Sequence, residues 1–305
     1  MEIEDSEDLH VPFIAKDWIQ AGKLYNVSTI PLYVILEKNK CMAMPNNFCI
    51  NPHFPPPIIP ITQFVAWKLP RLSSEITAIQ AMSWFSKDEP NSDTSILWTR
   101  AVPSRDFIKN IEEAAGQAWL DGAKSITDLR YNDGTDRLPL WTISFWRKIT
   151  TTHELQTMWE RSISWLQREK SPNSGAAMEL LTSLPWNATL TYGRGTMHSS
   201  LLSRFLGTAW LTDEHVDMMM EELDADKSSR VNRTQIATLS FANEIKNYNK
   251  GKLSDAQRKK TLLYRYEQEV HEHRLDQLAF PIHVNQNHWI AGLLNFRERT
   301  VSFGK

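Results

Sequence analysis

The C-terminal stretch from residue 279 to residue 304 constrains the fold more than any other part of this sequence. Its apolar residues fall into three short runs, at residues 279–284, 289–296 and 301–303. A polar triplet at 285–287 separates the first run from the second, and a charged triplet at 297–299 separates the second from the third. Short apolar runs divided by turn residues are typical of strands joined by tight turns. The stretch therefore predicts three short strands in a meander, with His288 where the second strand begins.

His288 is the first candidate for a chemical role. A histidine at the start of a strand, followed directly by Trp289, can hold a general base at the edge of a cleft while the strand fixes its ring. The alternative is a structural histidine, which is a common occupant of a half-buried strand. The position alone leaves both interpretations open.

Short motifs occur on both sides of a predicted helix. They are Trp210-Leu211-Thr212-Asp213 upstream, and Pro281-Ile282-His283-Val284, His288-Trp289-Ile290 and Val301-Ser302-Phe303-Gly304 downstream. In this order and at this separation, the motifs resemble the ubiquitin-like-protein-specific cysteine proteases, the SUMO-deconjugating family. The resemblance spans about a third of the chain. Within this family, the sequence of the matching segment is most similar to versions of the domain found in fungal, often transposon-associated, proteins.

This resemblance implies a papain-like fold and a peptidase that cleaves after the Gly-Gly of a ubiquitin-like modifier. His288 would be the base that takes a proton from a cysteine thiol, and an aspartate one strand downstream would orient its ring. Trp210 and Trp289 would sandwich the extended Gly-Gly tail, with Asp213 as a further substrate-binding residue. A slot between two indoles admits only residues without side chains. The competing interpretation is that both tryptophans are core residues.

The family's catalytic aspartate and cysteine are expected from position 305 onwards, where this sequence has Lys305. The two cysteines, Cys41 and Cys49, lie far upstream in a region that does not match the family. Three hypotheses follow from these positions. The chain is an inactive member of the peptidase lineage, a non-catalytic binder of a ubiquitin-like protein, or an incomplete gene model of an active protease.

The composition and the local patterns predict an α+β chain. A hydrophobic content of 41% over 305 residues is ample for a sizeable core. Residues 1–100 are expected to be irregular with a Pro-rich linker, and residues 101–195 to be mainly helical. Residues 196–305 are expected to form the N-terminal half of a partial papain-like catalytic domain.

Two helices are predicted inside this last segment. Thr212 is expected to cap the first helix, whose predicted inner face is Val216, Met219, Met220 and Leu223. The second is expected to run as one long helix over residues 254–273.

The same composition argues against several other classes of protein. A net charge of −2 and a pI near 6.5 give no clear sign of nucleic-acid binding, and no apolar run approaches a membrane span. Two cysteines in a chain of this length indicate a reducing compartment, so an intracellular location, nucleus or cytoplasm, is expected. Cys41, Cys49 and His53 have no metal-site spacing, so neither a metal nor a cofactor is expected.

Overall fold

The structure is a computed structural model that describes residues 32–49, 53–74, 80–169, 171–192, 195–225, 233–251, 254–285 and 288–304. The chain divides into two compact units, residues 1–158 and residues 159–305. Both units contain helices and strands, which confirms the prediction of an α+β chain. The finer division into segments 1–100, 101–195 and 196–305 stays a prediction.

The first unit combines helices with a three-stranded antiparallel sheet. Its elements are α1 (Leu32–Met42), α2 (Asn46–Cys49), α3 (Ile61–Val65), β1 (Phe85–Ser86), α4 (Arg105–Leu120), β2 (Ser125–Thr127), β3 (Arg137–Pro139) and the first part of α5 (Thr142–Arg168). Short 3-10 helices occupy Ala81–Trp84, Thr94–Trp98 and Asn132–Gly134. The strands pair in the order β1-β2-β3.

An aromatic core holds the first unit together. The ring of Trp84, which is fully buried, lies 4.6 Å from that of Phe107 and 6.0 Å from that of Trp146. Ring pairs at these separations stabilise a core beyond the area they bury. Phe107, Ile111 and Ala115 lie four residues apart in α4 and are all buried, so one stripe of this helix faces the core.

The second unit is built around a four-stranded sheet. Its elements are the rest of α5, α6 (Ser174–Ser183), β4 (Thr189–Tyr192), β5 (Gly195–His198), α7 (Asp213–Ala225), β6 (Thr234–Ile236), α8 (Leu239–Asn249), α9 (Asp255–Arg258), α10 (Leu262–His271), β7 (Gln277–Val284), β8 (His288–Asn295) and β9 (Thr300–Phe303). A 3-10 helix, Ser199–Phe205, follows the β4-β5 hairpin. The large sheet has the order β6-β7-β8-β9, with β6 parallel to β7 and the other pairs antiparallel. The predicted three-strand meander is therefore confirmed.

One face of this sheet packs against α8 and α10. The ring of Phe241 in α8 packs edge-on against two other rings. Its centroid lies 5.1 Å from that of Phe280 in β7 and 5.4 Å from that of Tyr266 in α10. Leu278 and Leu294, on the same side of β7 and β8, join this cluster. The apolar residues of alternate strand positions thus fix the hairpin to the helices.

The prediction of one long helix over residues 254–273 is wrong, because the chain breaks into α9 and α10. The first helix ends at Arg258, and Thr261 is the N-cap of the second. Its Oγ1 donates a hydrogen bond to the carbonyl of Arg258 at 2.6 Å and accepts one from the N–H of Tyr264 at 3.2 Å. A threonine hydroxyl that caps a helix in this way competes with continuation of the helix.

The predicted inner face of α7 is only partly correct. Val216 is buried, but Met219 and Leu223 are 41% and 46% exposed. His215 takes a buried place instead, because both of its ring nitrogens have partners. Its Nδ1 lies 2.6 Å from the hydroxyl of Thr212, and its Nε2 lies 2.8 Å from the carbonyl oxygen of Leu201.

Two carboxylates of α7 hold the segment that follows it. Asp217 accepts a hydrogen bond from the N–H of Leu239, the first residue of α8, at 2.7 Å, and Asp224 accepts one from the N–H of Ile236 at 3.1 Å. Asp217 therefore satisfies one of the open donors at the start of α8. Burial and the nearby carboxylates of Asp213 and Glu221 raise the pKa of Asp217, whereas the Leu239 N–H opposes this shift.

Asp217 should make the stability of the second unit pH-dependent. Because its folded-state pKa is raised, the folded chain holds the proton more tightly, so the free energy of unfolding falls as pH rises from 3.8 through the raised pKa. Asp217→Asn keeps an acceptor for Leu239 without the charge, so we expect it to be at least as stable as wild type at pH 7. Urea unfolding should show this advantage shrinking towards pH 3. Asp217→Ala, which lacks the acceptor, should cost about 1 kcal/mol, and equal behaviour of both variants would contradict this account.

Candidate functional site

An open groove of about 530 Å³ lies between the start of α7 and the β7-β8 hairpin. Its walls are Trp210, Leu211, Thr212, Asp213, Glu214, His283 and Trp289. Three of the four predicted site residues, Trp210, Asp213 and Trp289, are therefore brought together, although 75 residues lie between Asp213 and Trp289 in the sequence.

The β7-β8 register places one wall of the groove. Three residues, 285–287, separate the pair Val284 and His288, and the next pair is His283 with Trp289. Residues paired directly across two strands lie on the same face. The imidazole of His283 accordingly stacks on the indole of Trp289, with 4.0 Å between ring centroids and an angle of 19° between the planes.

The opposite wall is the segment that enters α7. Trp210 is 68% exposed, and its carbonyl oxygen accepts a hydrogen bond from Arg204 Nη1 at 3.1 Å. Thr212 is held by His215, whose Nδ1 also accepts the Thr212 N–H at 3.3 Å. These contacts fix the backbone on both sides of Leu211, so that the indole of Trp210 stands at the groove while its backbone is held.

Asp213 and His283 link the two walls. Asp213 Oδ1 lies 3.9 Å from His283 Nδ1, a distance at which a protonated imidazole forms an ion pair with the carboxylate. Both side chains are partly exposed to solvent, at 66% and 35%, so water screens this attraction. The pair joins the first turn of α7 to the ring that stacks on Trp289.

His288, the predicted catalytic base, lies beside the groove and is not one of the residues that line it. It is exposed and is the first residue of β8. Since successive side chains of a strand point to opposite faces, His288 shares a face with Ile290 and lies on the other face from Trp289. Its role as a base stays a prediction.

Residues 209–303 match the Ulp1 protease family, C-terminal catalytic domain. This match confirms the resemblance to SUMO-deconjugating cysteine proteases for that part of the chain, and the Ulp1-family segment contains every residue of the groove. It also agrees with the predicted part of a papain-like catalytic domain.

Comparison with solved structures finds an X-ray structure of the C-terminal Ulp1 protease domain in complex with Smt3, the yeast ortholog of SUMO. The two chains are 16% identical, with a TM-score of 0.33. The match covers 44% of this chain and 56% of that one, so this chain spans about half the length of the solved domain. No curated protein matches the sequence.

Sequence analysis assigned no role to His283, although it stacks on Trp289 and lies 3.9 Å from Asp213. It stands in one of the motifs of the Ulp1-family segment, but a motif does not show which side chains meet across a hairpin. The turn length could have revealed it, because three residues between two ladder positions set the register that pairs His283 with Trp289.

The cysteines lie outside the Ulp1-family segment. Cys41 is an exposed free thiol in α1, and the side chain of Cys49 lies outside the described residues, as does Lys305. Within the described ranges, no three histidine, cysteine or acidic side chains cluster as metal ligands would. No helix in those same ranges has the length and apolar character needed to cross a membrane.

Proposed function

We propose that the groove binds the extended Gly-Gly tail of a SUMO-type ubiquitin-like protein. The observation that carries this proposal is that Trp210 and Trp289, from two distant motifs, line one open groove. The match of residues 209–303 to the Ulp1 protease family supports the choice of partner. Such a partner is consistent with the expected nuclear or cytoplasmic location, which is part of the same proposal.

The physical basis is a fit between flat rings and a backbone without side chains. Two indoles that line one groove offer large apolar surfaces to a peptide, and a backbone without Cβ atoms can lie flat against them. Glycine provides such a backbone, and an extended Gly-Gly segment exposes its amide groups to polar neighbours. Stacking of His283 on Trp289 holds the indole of the second wall in place before a ligand arrives, which reduces the entropy lost on binding.

Peptide cleavage is the second part of the proposal and is kept separate from binding. In it, His288 takes the proton of a cysteine thiol, and the thiolate attacks the carbonyl carbon of the terminal glycine to form a thioester. The C–N bond breaks as the amine leaves with the proton from His288, and water then hydrolyses the thioester to release the glycine carboxylate and restore the thiol. A non-catalytic binder is the second candidate function. It is favoured by the position of His288 on the strand face away from Trp289.

Binding is tested with a SUMO-type modifier that ends in Gly-Gly and a matched modifier that ends in Ala-Ala. We expect the full chain to bind the Gly-Gly form at least about tenfold more tightly, measured by isothermal titration calorimetry. Trp210→Ala and Trp289→Ala should each weaken this binding by about tenfold or more. Phe303→Ala removes a similarly exposed aromatic ring, 61% against 68% for Trp210, and should leave binding unchanged. Equal affinity for both tails would refute the tail-binding proposal.

Cleavage is tested with the same modifier carrying a C-terminal fluorogenic amide. Release of the fluorophore that His288→Ala abolishes would support the peptidase. Gly-Gly-dependent binding without release would instead support the non-catalytic binder.

A further inference from the structure

A second groove, of about 510 Å³, lies in the same unit between the β4-β5 hairpin and α7. Its walls are apolar apart from a few positions: Leu190, Thr191, Tyr192, Met197, Leu202, Phe205, Met218, Met219, Glu222 and Leu223. It has no residue in common with the Trp210 and Trp289 groove. Its β4, β5 and 3-10 walls lie before residue 209, outside the Ulp1-family segment.

The apolar lining is partly open to solvent at one wall. Met197 is buried, whereas Met219 and Leu223 on α7 are 41% and 46% exposed. Leu223 follows Met219 by four residues, so the two side chains form one exposed ridge along the helix. Methionine side chains are flexible and polarisable, which suits a surface that adapts to a partner's apolar residues.

The charge on the α7 side of this groove has one sign, and Glu222 of α7 is part of the groove wall. Between Asp213 and Ala225 the chain carries six acidic residues and no lysine or arginine. The negative charge of α7 also acts on Tyr192, on the hairpin wall of the groove. Burial, followed by the carboxylates of Glu221, Asp217 and Glu214, raises the pKa of its phenol.

From this combination we propose that the groove between the β4-β5 hairpin and α7 docks a basic amphipathic helix from a partner protein. Apolar side chains of that helix, spaced at i, i+3, i+4 and i+7, fill the apolar floor beside Met219 and Leu223. Lysine or arginine residues at the edges of its apolar face meet the carboxylates of α7, such as Glu222.

The charge argues against a second copy of this chain as the occupant. A two-fold symmetric contact places the same surface of each copy against its equivalent. Two acidic α7 helices would then face each other, and like charges across an interface weaken association.

The test uses the full chain and a fluorescein-labelled peptide of about 18 residues, enough for five helical turns. The peptide has leucine at the apolar helical positions and lysine elsewhere, and its control has glutamate in place of lysine. We expect fluorescence anisotropy to show binding of the lysine peptide, weakened about tenfold by Met219→Ser combined with Leu223→Ser. Glu222→Lys should weaken the lysine peptide and improve binding of the glutamate peptide.

Three controls accompany this test: a variant of the other groove, circular dichroism and sedimentation. Trp210→Ala should leave peptide binding unchanged, so this inference and the tail-binding proposal can fail independently. Circular dichroism should show that the exposed substitutions preserve the fold. Equal binding of both peptides, or wild-type affinity after Met219→Ser and Leu223→Ser, would overturn the proposal. So would a wild-type dimer in sedimentation that the same double substitution converts to a monomer, because the groove would then be an interface between two copies.

Discussion

Replacing Phe241 with alanine is expected to destabilise the second unit by about 3–5 kcal/mol. Phe241 is 2% exposed and makes edge contacts with the rings of both Tyr266 and Phe280, so its removal leaves a cavity lined by two aromatic rings. Phe280 lies in β7 three residues before His283. The cavity is therefore close to the strand that positions His283 against Trp289, and we expect tail binding to fall together with stability.

Urea unfolding measures the loss of stability, and hydrogen exchange of residues 277–295 shows whether the loss affects β7 and β8. Phe303→Ala is the matched control. The same atoms are removed there from a side chain that is 61% exposed in β9, and we expect a change within about 0.5 kcal/mol. If Phe241→Ala and Phe303→Ala cost similar amounts, the cluster around Phe241 does not anchor the hairpin.

The strands of the site were predictable because their signals are local. Alternation of apolar residues and two polar turns marked β7, β8 and β9, and each strand was found to within two residues at either end. The motif resemblance added what alternation cannot provide, which is that Trp210 and Trp289 belong to one site. The structure places both in a single groove.

Side-chain neighbours across elements were harder to predict. Helical spacing identified an apolar stripe on α7, but spacing alone does not show whether a neighbouring element covers the whole stripe. Val216 is covered, while Met219 and Leu223 are left partly exposed. The break at Thr261 was missed for a related reason, since a threonine inside a helical pattern is compatible with both an interior position and an N-cap, and only the backbone geometry shows that its hydroxyl accepts from Tyr264.

In the first unit, Arg130→Met is expected to cost about 3–5 kcal/mol, because it leaves a buried carboxylate without its partner. The Asp128 carboxylate is 3% exposed, and Arg130 contacts both of its oxygens, through Nε at 2.8 Å and through Nη2 at 2.6 Å. Arg130 Nη2 also donates a hydrogen bond to the carbonyl of Ala101 at 2.8 Å, which ties the pair to the chain before α4. Lysine cannot reproduce this two-pronged geometry, so Arg130→Lys should recover only part of the loss.

The exposed pair Arg105 and Glu154 is the matched control. Its nitrogen and oxygen atoms lie 3.0 Å apart, but the side chains are 75% and 39% exposed, so Arg105→Met should change the free energy of unfolding by no more than about 0.5 kcal/mol. Combining Asp128→Asn with Arg130→Met removes the unpaired carboxylate charge and should restore part of the stability lost in Arg130→Met. The free energy of unfolding in urea is measured for the four variants, which are Arg130→Met, Arg130→Lys, Arg105→Met and the double variant. If the double variant is less stable than Arg130→Met, the cost comes from lost packing around Arg130, since an unpaired Asp128 carboxylate predicts the opposite order.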